Sequence, residues 1–140
     1  MKAQAVFVLA ILVSLLPLAA RTAEEKPAGE KKSAAINQRV DVEAYDKLRA
    51  NKDYIILDVR TAEEFKTGHV PGATNLSVNS PGFDEAVAKL DKSKTYLVNC
   101  AVGMRSAKAC KKLQAAGFTN LYDLAPGFDG WKKAGKPVEK

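Results

Sequence analysis

Residues 100 to 105, with the sequence CAVGMR, have the residue types and spacing of a nucleophile at the mouth of an anion-binding loop. An apolar run precedes them and an amphipathic run follows, which is typical of a buried strand leading into a helix. Successive backbone N–H groups in such a loop can curl around one centre, with a helix N-terminus behind them. The predicted substrate-binding residues are Ala101, Val102, Gly103, Met104 and Arg105.

Three residues of this loop have individual chemical roles, and the residue after the loop has a supporting one. Gly103 permits a backbone turn that a side chain would obstruct, and Arg105 offers a fork of donors for an oxyanion. Cys100 is expected to be a thiolate, since amides, a helix N-terminus and a guanidinium all favour the anion. A thiolate attacks sulfane sulfur well, and the cradle would stabilise the resulting persulfide. Ser106 is a candidate supporting residue.

The loop alone leaves an alternative open for Cys100, namely a buried and inert core thiol, which is common for cysteine. Cys110 is expected to be such a core thiol, because Ala109, Cys110 and Leu113 have the spacing of a buried helix face. A disulfide between the two cysteines is disfavoured. About a turn and a half of helix should separate their Cα atoms by more than the ~7 Å that a disulfide can span.

The elements that must position this loop alternate between strand and helix. Strands are predicted at 36–40, 54–59, 73–76, 95–99 and 120–123, and helices at 42–50, 61–68, 83–90, 106–116 and 128–133. This order favours an α/β domain with a five-stranded, mainly parallel sheet and helices on both faces. Ligands of such sheets bind beyond the carboxyl ends of the strands. Two strand ends therefore matter most, at 58–60 and at 99–100.

Several polar residues near these strand ends are candidates for supporting roles. Asp58 and Arg60 are expected to lie beside the loop, with Asp58 holding loop amides or Arg105; the alternative is a local ion pair between them. Glu64 is interpreted as a capping residue, three positions after Thr61. His69, the single histidine, is interpreted as a structural residue of a turn, and Trp131 as a core residue.

Length and composition limit the classes of function. The 140 residues suffice for one domain, and 46% hydrophobic with 27% charged residues is ordinary for a packed core. The net charge of +6 is spread over scattered lysines, which argues against a nucleic-acid-binding protein. The same charge is compatible with a small anionic substrate. Two cysteines and one histidine are too few for a disulfide scaffold or a typical zinc site.

The chain begins with a segment of different character. Residues 3–20 carry no charge and end in small residues, which indicates a secretory signal peptide over residues 1–20 and a periplasmic or secreted protein. An uncleaved membrane anchor is the alternative. Residues 21–35 contain no large apolar side chain, so we expect a flexible linker there. The folded domain is predicted to span 36–140.

Three sequence segments resemble the signatures of the rhodanese family, in the family's order and spacing. They are LDVRTAEEFKTGHVPGATNL at 57–76, CAVGMRSAKACKKLQAAGF at 100–118 and LAPGFDGWKKAGKPVE at 124–139. The resemblance covers essentially all of 36–140 and implies a single rhodanese-like domain. Two positions depart from the family pattern at the pocket rim. Ala101 stands where many members carry a basic residue, and Pro126 replaces the first glycine of a Gly-Gly pair.

The resemblance implies a sulfurtransferase in which Cys100 carries a persulfide taken from a donor such as thiosulfate. The acceptor would be cyanide, a thiol or a protein thiol, and no metal or organic cofactor is implied. The loop from Cys100 to Arg105 has six residues, as in sulfurtransferases of the family, whereas relatives with seven act on phosphate or arsenate. The alternative function is a binding or sulfur-carrier module that uses the same fold without rapid turnover.

Overall fold

The computed structural model describes residues 36–140. Five strands alternate with five helices along this part of the chain. The elements are β1 (Ile36–Val40), α1 (Val42–Arg49), β2 (Ile55–Asp58), α2 (Ala62–Thr67), β3 (Thr74–Asn75), α3 (Phe83–Ala88), β4 (Tyr96–Asn99), α4 (Met104–Ala115), β5 (Asn120–Leu124) and α5 (Gly127–Lys133). The predicted signal peptide and linker lie outside the described residues.

The strands form one sheet in the order β1-β5-β4-β2-β3, and every neighbouring pair of strands is parallel. The predicted α/β domain with a five-stranded, mainly parallel sheet is therefore confirmed. The first strand in sequence lies at one edge beside the last, with Arg39 opposite Asp123 in the register. β4 lies at the centre, so its carboxyl end places Cys100 between neighbouring strands on both sides.

Two hydrophobic clusters confirm the prediction of helices on both faces. Along β4, Tyr96 and Val98 belong to the cluster that contains Leu113 of α4. Leu97, between them, belongs to the opposite cluster with Trp131 of α5. All four residues of β4 are buried, as expected for a strand covered on both faces.

Local sequence signals account for several element boundaries. The Asp41 carboxylate accepts a hydrogen bond from the Ala44 amide at 2.8 Å and caps α1. At α2 the Thr61 hydroxyl accepts from the Glu64 amide, and the Glu64 carboxylate accepts from the Thr61 amide, which completes the predicted capping box. These reciprocal bonds fix the start of α2 and the position of Glu64.

The largest boundary difference concerns α4, which begins at Met104 and not at Ser106. Gly103 adopts a left-handed backbone with φ of +88° directly before the helix, so the chain turns sharply and helical geometry starts one residue later. The loop is correspondingly shorter, and Arg105 belongs to the first turn of the helix. Among residues 36–140, no helix has the length and apolar character needed to cross a membrane.

Two residues interpreted as structural from the sequence, Trp131 and His69, are buried. Trp131 is fully buried, and its indole N–H donates to the Pro137 carbonyl at 2.6 Å. His69 stacks on Phe65, with ring centroids 3.7 Å apart, and its Nδ1 lies 2.9 Å from the Phe65 carbonyl oxygen. Both rings are used in packing and local hydrogen bonds.

Candidate active site

Cys100 follows the last residue of β4 and is 0% exposed. The Gly103 amide donates a hydrogen bond to its Sγ at 3.1 Å, across the turn of the loop. The Ser106 Oγ, in the first turn of α4, lies 3.4 Å from the same sulfur. The Cys100 thiol donates to this hydroxyl oxygen, while the Gly103 N–H, as a donor to the sulfur, stabilises a sulfur anion more than a neutral thiol. The sulfur therefore has the surroundings of a nucleophile.

Gly103 is required by its surroundings as well as by its backbone angle. A Cβ at this position would overlap the Ala125 carbonyl oxygen and would come within 2.8 Å of the Arg39 Nη2. The loop therefore packs backbone to backbone against the segment after β5. This close approach is what brings the Gly103 amide onto the sulfur.

The loop carbonyl groups and the loop amides point to different partners. The carbonyls of Cys100 and Ala101 accept hydrogen bonds from the amides of Phe128 (2.7 Å) and Asp129 (2.9 Å), at the start of α5. Within 36–140, the amides of Ala101, Val102, Met104 and Arg105 donate to no protein acceptor. Unpaired, neighbouring N–H groups at a helix N-terminus form an anion cradle.

The side chains of the loop take no part in that cradle. Val102 is 57% exposed and Met104 is 77% exposed, so they form an apolar rim around the loop. Together with Ala101, these residues can contact a bound anion through their backbone N–H groups. Substrate binding by these residues stays a prediction, and the structure assigns it main-chain donors and no side-chain donors.

Arg105 differs from the expectation that its fork faces the substrate. Its two terminal nitrogens donate to the two carboxylate oxygens of Glu64, both at 2.7 Å. The side-chain hydrogen bond from Arg105 holds the pKa of Glu64 at about 2 and, in turn, raises the pKa of Arg105. Sequence reasoning found Glu64 as a capping residue and missed this second partner, which is 41 positions away along the chain.

Asp58 and Arg60 also depart from the expected arrangement. The Arg60 guanidinium donates to both Asp58 oxygens, at 3.0 and 2.7 Å, and to the Gly68 carbonyl at 2.7 Å. Asp58 is thus held by Arg60, and the expectation that it binds loop amides or Arg105 is corrected to the local ion pair. Both side chains are buried, and their opposite charges neutralise each other. Neither residue is therefore an isolated charge in the interior of the domain. Arg60 also lies 4.3 Å above the ring of Phe128, whose amide holds the loop.

The family assignment follows from a match over residues 41–134 to the model of the Rhodanese-like domain, which includes Cys100 and its loop. The chain belongs to this family. Its members provide a direct comparison for the fold and the reaction type.

Two similar proteins carry the name thiosulfate sulfurtransferase. Thiosulfate sulfurtransferase 16, chloroplastic, from Arabidopsis thaliana is 37% identical over 106 residues, which covers 69% of this chain and 87% of that protein. Thiosulfate sulfurtransferase GlpE from Actinobacillus succinogenes is 33% identical, over 69% of this chain and 84% of that protein. These similarities support a sulfurtransferase-type function for this rhodanese-like chain.

Solved structures agree on the fold. A rhodanese-related protein from Thermoplasma volcanium has a TM-score of 0.63 and 28% identity, over 73% of this chain and 97% of that one. The Rhodanese-like domain of the Anabaena protein Alr3790 also has a TM-score of 0.63, with 29% identity over 72% of this chain and 77% of that one. The strands and helices of 36–140 are therefore those of a rhodanese-like domain.

The second thiol of this rhodanese-like domain has different surroundings. Cys110, on the buried face of α4, is 1% exposed, and burial raises its pKa to about 12. Both cysteines are free. In the part of the chain that the structure describes, no group of three or more His, Cys, Asp or Glu side chains is placed to hold a metal ion.

The two thiols should therefore react with alkylating agents at very different rates. Iodoacetamide added to the native protein at about pH 6.5 should label Cys100 first, although both thiols are buried. The Cys100 sulfur accepts the Gly103 N–H and lies beside loop amides with no protein acceptor in 36–140, whereas burial raises the pKa of the Cys110 thiol to about 12. Timed alkylation followed by peptide mapping measures both rates. Equal labelling of the two cysteines would contradict the assignment of Cys100 as the nucleophile.

The Glu64–Arg105 pair should contribute to stability in a defined pH range. The carboxyl pKa is lowered from 4.5 in the unfolded chain to about 2, so the stabilisation is present above pH 4.5 and is lost as the pH falls toward 2. Glu64→Gln should lower the free energy of unfolding at pH 7 by about 1 kcal/mol, since solvent screens this partly exposed pair. Urea denaturation of both proteins at several pH values measures the difference, which should shrink below pH 4.5.

Asp84→Asn is the matched control for that experiment, because it removes a carboxylate paired with Lys112 at an exposed site. We expect it to change the unfolding free energy by less than about 0.5 kcal/mol. A Glu64→Gln difference that stays constant from pH 7 to pH 2 would mean that the ion pair is not its source.

Proposed function

We propose that this protein is a sulfurtransferase that moves sulfane sulfur from a donor such as thiosulfate to a thiophilic acceptor. The observation that supports this proposal most directly is the position of the Cys100 sulfur. It receives the Gly103 N–H at 3.1 Å and lies in a loop with amides that have no protein acceptor within 36–140. Such a loop can stabilise a persulfide anion as well as a thiolate.

The reaction has two displacement steps on sulfur. In the first, the Cys100 thiolate attacks the outer sulfur of thiosulfate, so that an S–S bond forms to Cys100 and the bond to the departing sulfite breaks. Sulfite leaves with the electron pair of that bond. In the second step a cyanide or thiol acceptor attacks the outer sulfur, and Cys100 leaves as a thiolate. The two steps restore the enzyme without an external oxidant or reductant.

The main-chain cradle suits a small anionic donor. Amide donors at a helix N-terminus stabilise negative charge without a dedicated cationic side chain, which fits the engagement of Arg105 with Glu64. A six-residue loop favours a persulfide over a full phosphoryl group, so aryl phosphates should not be hydrolysed. The acceptor in the cell is a thiol or cyanide, or the thiol of a partner protein.

Mass spectrometry of the intact protein before and after thiosulfate treatment tests the proposal. We expect a mass increase of one sulfur, about 32 Da, on the peptide containing Cys100, and release of that sulfur by cyanide as thiocyanate. Slow turnover with thiosulfate and cyanide should accompany it. Persulfide without turnover would support the sulfur-carrier function instead, and a failure of Cys100 to take up sulfur would contradict both.

The proposed site of action is outside the cytoplasm, in the periplasm or the secreted fraction. The support is the charge-free stretch of residues 3–20, which ends in small residues and precedes a polar segment. Cleavage after Ala20 would leave Arg21 as the mature N-terminus, whereas an uncleaved segment would hold the protein at a membrane. N-terminal sequencing of the exported protein checks this, and an intact Met1 in a soluble exported fraction would contradict cleavage.

A further inference from the structure

A buried carboxylate lies behind the active-site loop and has no role in the reaction as described so far. Asp123 of β5 is 1% exposed, and neither of its carboxylate oxygens has a hydrogen-bond partner of good geometry within 36–140. Burial raises the pKa of Asp123, while the Ser106 hydroxyl and the Arg39 guanidinium oppose the rise. Burying an ionisable group without hydrogen-bond partners costs folding free energy, so its presence here needs a functional or structural explanation.

Ser106 connects this carboxylate to the nucleophile. Its side chain is 0% exposed, and its Oγ lies 3.4 Å from the Cys100 Sγ while it also neighbours Asp123. The Cys100 thiol donates to the Ser106 Oγ, which leaves the Ser106 hydroxyl proton available for the Asp123 side. A negative charge on Asp123 therefore acts on the sulfur through one intervening side chain.

Arg39 meets the same carboxylate from the edge strand. It is the cross-strand partner of Asp123, and its Nε lies 3.5 Å from the Asp123 Oδ2. Its Nη2 also donates to the carbonyls of Gly103 at 3.3 Å and Ala125 at 3.2 Å. One guanidinium thus contacts the buried carboxylate and the loop whose amide touches the sulfur.

The other charged and titratable groups around the cluster are either buried or already paired. Burial raises the pKa of Tyr45 on α1 well above 10, and that of Cys110 on α4 to about 12. Asp58 on β2 is paired with Arg60, and Arg105 on α4 is paired with Glu64. Within 36–140, the pair formed by Asp123 and Arg39 is therefore the charge pair that lies behind the loop on this side of Cys100.

We propose that Asp123 and Arg39 are positioning residues that set the ionisation of Cys100 in opposite directions, Asp123 through Ser106 and Arg39 through its charge and the Gly103 carbonyl. This inference rests on the proposed function only in taking Cys100 as the nucleophile. The amide cradle alone would favour the thiolate strongly, and a very stable thiolate is a weaker nucleophile. The charge of Asp123 offsets the cradle and keeps the sulfur reactive, while Arg39 limits that offset.

The test is the pH dependence of Cys100 alkylation by iodoacetamide in the full chain, from about pH 5 to pH 9. Asp123→Asn removes the negative charge and should move the midpoint to lower pH by about 1 unit. Arg39→Gln should move it to higher pH by about 0.5 unit, since this guanidinium is half exposed and screened. Arg39→Lys keeps the charge and should restore most of the shift. The double variant should fall between the single ones.

Opposite shifts are the distinguishing result, because a residue that merely holds the loop in shape would move the midpoint the same way when either partner is removed. Arg49→Gln and Asp84→Asn, which alter other ion pairs, should leave the profile unchanged. Shifts in one direction, or none, would overturn the proposal. If Asp123→Asn does not fold, Arg39→Gln and Arg39→Lys still test the role of Arg39, because a midpoint that fails to rise in the first variant, or to return in the second, overturns the proposal. Alkylation needs no sulfur donor, so an inactive wild-type protein would contradict only the proposed function.

Discussion

Cys100→Ser is expected to abolish sulfur transfer, with a loss on the order of 10³-fold or more, while the domain stays folded. A hydroxyl is far less nucleophilic than a thiolate near neutral pH. The fold should survive because the two groups that face the sulfur, the Gly103 amide at 3.1 Å and the Ser106 Oγ at 3.4 Å, can also satisfy a hydroxyl. We expect a stability change of about 1 kcal/mol or less.

The measurement is thiocyanate formation from thiosulfate and cyanide, with thermal unfolding of the same samples. Cys110→Ala is the matched control, because it removes the other thiol, which is buried on α4 at 1% exposure. That variant should keep its activity and lose about 1 kcal/mol of stability through a small cavity. Sulfur transfer that persists in Cys100→Ser would exclude a persulfide on this residue.

Gly103→Ala should have the largest effect of any small substitution in the loop, lowering the free energy of unfolding by about 3 kcal/mol and removing most of the activity. Two costs add at this position. The backbone has φ of +88°, where a side chain is strained, and the new Cβ would overlap the Ala125 carbonyl oxygen. Relieving the overlap moves the amide that donates to the Cys100 sulfur.

Gly135→Ala separates the two costs. Its φ is +74°, and in the described structure no heavy atom lies within 4 Å of the position that a Cβ would take. It should cost about 1 kcal/mol from backbone strain alone and leave sulfur transfer intact. Chemical denaturation and Cys100 alkylation rates of both variants provide the comparison. Equal costs for the two glycines would mean that the loop does not pack against Ala125 as described.

The fold could be predicted from the sequence because its signals are local. The run from Tyr96 to Val98 is apolar and bounded by polar residues, which fits a buried parallel strand. The Thr61–Glu64 capping box marks the start of α2. The alternation of such segments determines the fold class. The boundary of α4 was harder, because Gly103 both ends the loop and starts the helix, and only its φ angle shows this.

The side-chain partners of the site could be predicted only in part. The nucleophile and its loop are contiguous in sequence, so their residue types carry the signal. The partner of Arg105 is Glu64, 41 residues earlier, and Arg39 reaches Gly103 from 64 residues away. These pairings depend on the order of strands in the sheet and on the direction of each side chain, which no local pattern encodes. The Asp58–Arg60 pair was one of two open alternatives for the same reason.

The order of strands also determines when, during synthesis of the chain, Cys100 can acquire the surroundings described above. In the described sheet, the edge strand β1 has β5 as its neighbour, and the carbonyls of Cys100 and Ala101 are held by amides of α5. Synthesis makes β1 and Cys100 before residues 120–129, so the thiol precedes the segments that hold its loop. The carbonyls of Cys100 and Ala101 gain their partners only when the start of α5 has been made. Cys100 therefore acquires its described surroundings only after β5 has joined β1 and β4 in the sheet.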